Sequence, residues 1–270
     1  MSDNLKIQTW IEHLQAKGRY SFSVDALREE LKNYTFTGIM RALSRLTAKG
    51  KILSIHKGYY LIIPPQYAPK GILPPTLFID ALMKHLQRPY YVALLNAAAY
   101  HGAAHQQPQE FFIVTNFPAL RPTQKKGMIL NYISIKDIPE KLLTLQKTES
   151  GYLKVSNRAL TASDLVQFEK RVGGLNRVAN ILHELIEELR PEDFEPLFLM
   201  HTPSAVLQRL GYLLEYTCYN HELANALYGQ MERMKMQLHR VPLKAAAETR
   251  GFFSKNRWNV IVNTEIEIDE

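Results

Sequence analysis

At 270 residues the chain has room for a small module and one larger domain, and its 46% apolar content is that of an ordinary globular protein. No apolar run reaches the roughly 18–20 residues that span a bilayer, and the start MSDNLKIQTW lacks a signal-peptide core, so the expected location is the cytoplasm. The net charge of +7 and the single cysteine, Cys218, exclude an intrachain disulfide and a multi-cysteine zinc site and point toward an anionic partner.

The charge is unevenly placed. Residues 1–65 hold ten Lys/Arg against five Asp/Glu, whereas the remaining residues carry 23 against 21. The first quarter is therefore where a phosphate backbone would find its electrostatic footprint.

Leu5, Ile7, Trp10, Ile11 and Leu14 recur at helical spacing and predict a first helix that ends near Lys17 and Gly18. RYSF is a short extended piece with Phe22 inward. Ser23 is a helix cap for VDALREELKN, whose Val24, Leu27 and Leu31 form a buried stripe. After Asn33 and Tyr34, Thr35 caps a third helix. Phe36, Ile39, Leu43 and Leu46 line its apolar face, while Thr37, Arg41, Arg45 and Lys49 fall elsewhere. Gly50 closes this helix, and KILSI, HKG and YYLII then read as a hairpin whose tip carries Lys57.

Helix, strand, helix, helix and hairpin is the order of a winged helix-turn-helix. In such a module the third helix enters the major groove, which assigns DNA contacts to Thr35, Thr37, Gly38, Arg41, Arg45 and Lys49, with Lys57 meeting backbone or minor groove from the wing. Arg41 and Arg45 fit either a guanine edge or a phosphate.

Pro64, Pro65, Pro69, Pro74 and Pro75 then punctuate the chain and read as an extended linker, residues 64–75. Beyond it PTLFIDALMKHLQ and YYVALLNAAAYHGAAH read as helices, EFFIVTN, MILNYISI and YLKVSN as strands, and Lys125 and Lys126 as part of an exposed turn. Helical patterns cover 162–171, 175–189, 204–216 and 221–238. The tail RWNVIVNTEIEIDE alternates as a strand does.

Chemistry-bearing motifs are scarce. His101 and His105 in HGAAH are four apart and share a helix face, but Gly102 and Ala103 stand where the HExxH pattern needs its glutamate; capping or packing histidines are the expectation, and no metal. Cys218, in YLLEYTCYN, reads as a small core residue with no activating base beside it. No carboxylate pair, nucleophile elbow, P-loop or nucleotidyltransferase GS and DxD signature occurs, so the expectation is no enzyme, no catalytic residue and no cofactor.

One segment remains. Between Glu232 and Trp258 lie Arg233, Lys235, Arg240, Lys244, Arg250, Lys255 and Arg257 against two glutamates, with Phe252, Phe253 and Trp258 interleaved. Arg240, Lys244, Arg250, Lys255 and Arg257 fit a second nucleic-acid surface on which the aromatics stack. They fit equally a solvated helix end paired with Glu184, Glu187 and Glu188, and the second reading is favoured.

Together the N-terminal module, the proline-marked linker and YYVALLNAAAYHGAAHQQPQEFFIVTN make the chain similar to antitoxins of the abortive-infection AbiE type. The resemblance is carried by Ala97, Ala98, His101 and Gly102, by Phe111 to Thr115, and by the later helix TASDLVQF. It implies a non-enzymatic, two-part protein of a type IV toxin–antitoxin system. One part binds inverted repeats in double-stranded operator DNA and represses its own operon; the other neutralises a nucleotidyltransferase-like toxin without a stable complex being assumed.

The expected fold is α+β: a winged helix-turn-helix over 1–63, the linker over 64–75, and a mixed C-terminal domain over 76–270 with a helical second half. The alternative reading is a one-component regulator whose C-terminal domain senses a small ligand. Oligomeric state is left open by the sequence.

Overall fold

The computed structural model describes residues 2–103 and 108–268. Its first elements are α1 (Ser2–Ala16), β1 (Ser21–Ser23), α2 (Val24–Glu30), α3 (Phe36–Ala48), β2 (Ile52–His56) and β3 (Tyr59–Ile62). Two local hydrogen bonds set the helix starts: Ser23 Oγ accepts from the Ala26 N–H at 3.0 Å, and Thr35 Oγ1 accepts from the Gly38 N–H at 3.2 Å. β3 pairs antiparallel with both β1 and β2, in the order β1-β3-β2. Helix, strand, helix, helix and hairpin thus follow one another in the order that the periodicity predicted.

Its core is a single cluster that includes Ile7, Ile11, Leu14, Phe22, Leu27, Ile39, Leu43, Leu46, Ile52 and Ile62. Phe22 stacks on Tyr60 with centroids 5.7 Å apart, and Trp10 meets the edge of Phe22 at 5.3 Å. The side chain of Leu5 lies outside the described residues. Phe36 departs from expectation: it is 55% exposed rather than part of the apolar face. It is the first residue of α3, where the chain has just entered the helix, so its side chain lies beyond the buried stripe.

The proline-rich stretch is not uniformly extended. It forms single 3-10 turns at Pro65–Tyr67 and Pro75–Leu77, and Leu73 is buried between them. Then come α4 (Ile79–His85), β4 (Tyr90–Val92), α5 (Leu94–Tyr100), β5 (Glu110–Asn116), β6 (Thr123–Lys125), β7 (Met128–Ile135), β8 (Leu143–Thr148) and β9 (Gly151–Ser156). The six strands β4–β9 form one sheet in the order β6-β7-β5-β4-β9-β8. β5 and β7 run parallel through seven paired positions, from Glu110↔Ile129 to Asn116↔Ile135, and β6 closes on β7 as an antiparallel hairpin. Near-continuous apolar strands such as FFIV are what a sheet covered on both faces requires.

Tyr90–Val92 corrects the expectation of a helix starting at Tyr90. The aromatic and β-branched trio YYV takes a central strand position, Val92 pairs with Val155, and the Ala-rich helix starts only at Leu94.

The remaining elements are α6 (Arg158–Gln167), α7 (Glu169–Val172), α8 (Leu175–Leu185), α9 (Pro196–His201), α10 (Ser204–Tyr212), a π-helical turn (Leu213–Thr217), α11 (His221–Arg233), β10 (Val241–Pro242) and β11 (Val260–Ile261). Asn157 caps α6 by accepting from the Leu160 N–H at 2.9 Å, and residues 159–166 of this helix are all buried. Among its described residues the tail contributes only Val260 and Ile261 to a strand, paired in parallel with Val241 and Pro242. Among the described residues no helix is long and apolar enough to cross a membrane.

By internal contacts the chain divides into two units. One comprises residues 1–91, 109–138 and 145–154; the other comprises 92–108, 139–144 and 155–270. The second carries the helical half, and the class is α+β as expected.

Candidate nucleic-acid interface

α3 is held by its apolar side. Ile39 and Leu43 are fully buried, with Ala42 and Leu46 nearly so. Because a helix repeats every 3.6 residues, fixing that face turns Thr37, Arg41, Arg45 and Lys49, each four residues from the next, into one outward row. All four are exposed, as are Thr35 at the cap and Lys57 at the hairpin tip, while Gly38 is partly covered. No acidic residue occupies the first turn of α3. The helix start thus presents the positive end of its dipole and the cation row without a carboxylate in its first turn.

Two residues outside the expected contact set, Arg28 and Phe36, meet at the start of this helix. The Arg28 guanidinium, from α2, sits over the Phe36 ring with its central carbon 5.5 Å from the ring centroid. The only trace of this in the sequence is an arginine in the last turn of one helix followed by an aromatic just after the next cap.

The wing is fixed from beneath. Tyr59 is buried, its hydroxyl shares a 2.7 Å hydrogen bond with Ser21, and its ring stacks on His85 of α4 at 4.6 Å. Burial pushes the Tyr59 phenol above its ordinary value, so it stays neutral. The Gly58 carbonyl accepts from the Val24 N–H at 2.8 Å, tying the hairpin turn to the start of α2. Gly58 has φ +71°, a conformation glycine adopts without strain.

The basic C-terminal segment separates into buried and exposed members. Trp258, expected among the stacking aromatics, is fully buried. Its indole N–H donates to Glu215 Oε2 at 2.6 Å, and Arg257 Nε donates to the same oxygen at 2.7 Å. Arg257 also lies over the rings of Tyr228 and Trp258. Its charge is therefore spent on Glu215, not on the 184–188 carboxylates. Arg240 donates to the Phe252 carbonyl at 2.9 Å and stays exposed, as do Lys244, Arg250 and Lys255.

The HGAAH histidines divide too. His101 Nε2 donates to the Ser156 carbonyl at 2.7 Å, and burial holds its pKa below the ordinary imidazole value. His105 lies outside the described residues, and among the described residues no cluster of His, Cys, Asp and Glu is arranged to hold a metal. Cys218 is buried, which pushes its thiol up to about 12.

With this geometry in view, the comparisons with known proteins bear on the larger part of the chain. The whole fold is similar to that in the crystal structure of RV2827C protein from Mycobacterium tuberculosis, with a TM-score of 0.66 over 93% of this chain and 89% of that chain. At 17% identity that likeness is one of fold. No curated protein matches the sequence. Residues 91–216 match the model of the AbiEi antitoxin C-terminal domain. That match takes in the buried Ala97 and Ala98, the tethered His101 and strand β5, and makes this part of the chain similar to the C-terminal domain of AbiEi antitoxins.

Proposed function

We propose that this chain is an autorepressor and antitoxin of a type IV toxin–antitoxin system. Residues 1–63 read an operator, residues 64–75 connect, and residues 76–270 supply the antitoxin activity. The observation that carries the DNA half is the exposed row Thr37, Arg41, Arg45 and Lys49 on a capped helix whose other face is fully buried. The antitoxin half is supported by the AbiEi domain match.

In this reading Arg41 and Arg45 meet base edges or phosphates in the major groove, Thr35, Thr37 and Gly38 approach the backbone at the helix start, and Lys49 and Lys57 neutralise flanking phosphates. The operator is double-stranded with inverted repeats, and the neutralised toxin is nucleotidyltransferase-like, acted on in the cytoplasm without a requirement for a stable complex. The chain itself performs no catalysis.

The test is a gel shift of the full-length protein on its own promoter region. Arg41→Ala combined with Arg45→Ala removes two exposed cations and no core contact, so the fold is retained, operator binding is lost, and the slope of log affinity against log salt becomes shallower by about 2. An unchanged, sequence-specific shift by the double variant rules out this helix as the reading element. Co-expression of the same variant with the cognate toxin separates the two halves: growth is still rescued although repression is lost.

A further inference from the structure

The second unit carries a surface that the operator-reading helix does not use. A cleft of about 360 Å³ is lined by Tyr212, Tyr216, Phe252, Phe253, Lys255 and Val262, together with Gly251 and Asn256. Tyr216, Phe252, Phe253 and Val262 are among the largest exposed apolar side chains of the molecule, and Phe253 is 69% exposed. Large aromatics gathered in one open cleft mark a binding surface.

Its geometry is that of a stacking platform. The rings of Tyr212 and Tyr216 stack with centroids 4.9 Å apart and planes inclined by 29°, Tyr216 belonging to the π-helical turn that follows α10. Single π-turns within a helix occur often at functional positions. Lys255 Nζ stands 5.4 Å from the Phe253 ring centroid. The loop is pinned at three points. Arg240 donates to the Phe252 carbonyl, the Val262 N–H donates to the Phe253 carbonyl at 3.2 Å, and the Asn256 side chain bonds both the N–H and the carbonyl of Val260.

The charge decides the occupant. Among the described residues no acidic side chain lines the cleft. Lys255 stands within it, Arg240 borders it through Phe252, and Arg250 is exposed one residue before Gly251. Glu215, on the same π-turn, is already engaged by Arg257 and Trp258. Exposed aromatic faces interleaved with cations are what unpaired bases and their phosphates require; a paired duplex hides those faces.

We infer that this cleft binds single-stranded nucleic acid, with bases stacking on Tyr216 and Phe253 and with Lys255, Arg240 and Arg250 neutralising the backbone. It is a second site, in a different unit from α3, and stands whether or not α3 reads an operator.

The experiment is fluorescence anisotropy of the full-length protein with a labelled oligouridine and an oligothymidine, each against a duplex of unrelated sequence. It is run in the Arg41→Ala, Arg45→Ala background so that α3 does not contribute. Binding of single strands over duplex is expected. Tyr216→Ala and Phe253→Ala, both at exposed positions, each weaken it about ten-fold or more, and Phe253→Trp restores it. Photocrosslinking of an iodouridine-containing strand, read by peptide mass spectrometry, falls on Tyr212, Tyr216, Phe252 or Phe253 and keeps the test decisive if a variant misfolds. No single-strand binding, unchanged affinity in the alanine variants, or crosslinks confined to other segments overturns the inference. So does a result in which these variants lose only a protein partner.

Discussion

Gly211 of α10 lies directly against the Trp258 ring: a methyl group at position 211 would overlap the six-membered half of the indole. The helix gives up a side chain at this point so that the largest fully buried residue of the chain can pack on its backbone. Gln208, one turn earlier, donates to the Trp258 carbonyl and to the His239 carbonyl, both at 2.6 Å, and so joins the last loop to α10.

Gly211→Ala is therefore expected to destabilise the protein even though alanine is the better helix former. The ring has no flexible end to swing aside, and overpacking of this kind costs about 1–3 kcal/mol or more. Urea unfolding of the variant should give a lower midpoint; an unchanged or raised midpoint would contradict this account of the contact.

Arg257→Ala tests its ion pair with Glu215. Glu215 Oε2 takes hydrogen bonds from Arg257 and Trp258, and the pair is largely covered, with side chains 28% and 14% exposed. Losing the guanidinium leaves a covered carboxylate with one donor, and the partial exposure keeps the loss to about 1–3 kcal/mol. Glu215→Gln should cost less, because an amide oxygen still accepts from the indole. Chemical denaturation of the two variants side by side should show that order.

His101 links stability to pH. Its folded pKa is held below the ordinary value by burial, so the unfolded chain takes up the proton first as the pH drops. The contribution is fully present above about pH 6.5 and is lost as the pH falls from there through the folded value. His101→Asn, which removes the titrating group, should flatten the part of the stability-against-pH curve below pH 6.5 relative to the parent. Equal slopes for the two proteins between pH 7 and pH 5 would contradict it.

Cys218 offers a probe of global opening. With the thiol buried and pushed up to about 12, native protein should react with a thiol reagent at neutral pH only through unfolding. The labelling rate should rise with denaturant in parallel with the unfolded fraction, and fast stoichiometric labelling of native protein would show an open site.

Elements whose information is local were legible in the residues. Ser23 and Thr35 announce the starts of α2 and α3 because a capping hydroxyl needs only an N–H three residues away. The face of α3 followed from the spacing of Ile39, Leu43 and Leu46, and β5 and β7 from apolar runs bounded by turns. α9 and the strands β6 and β8 were not legible, being short or only half covered.

What the sequence by itself determined is α3: its cap, its buried stripe, and hence which cations face outward. Only the tertiary structure decided the fate of side chains whose surroundings come from distant segments. Tyr90–Val92 is a strand because Val155 lies beside it, and Trp258 is buried because Gly211 makes room for it. Arg257 is spent on Glu215, whereas Phe252, Phe253 and Tyr216 are left outside. A period of 3.6 residues fixes one face of one helix; which aromatic is core and which is surface depends on partners 40 or more residues away, such as the Glu215–Trp258 pair at a separation of 43, and no local pattern records them.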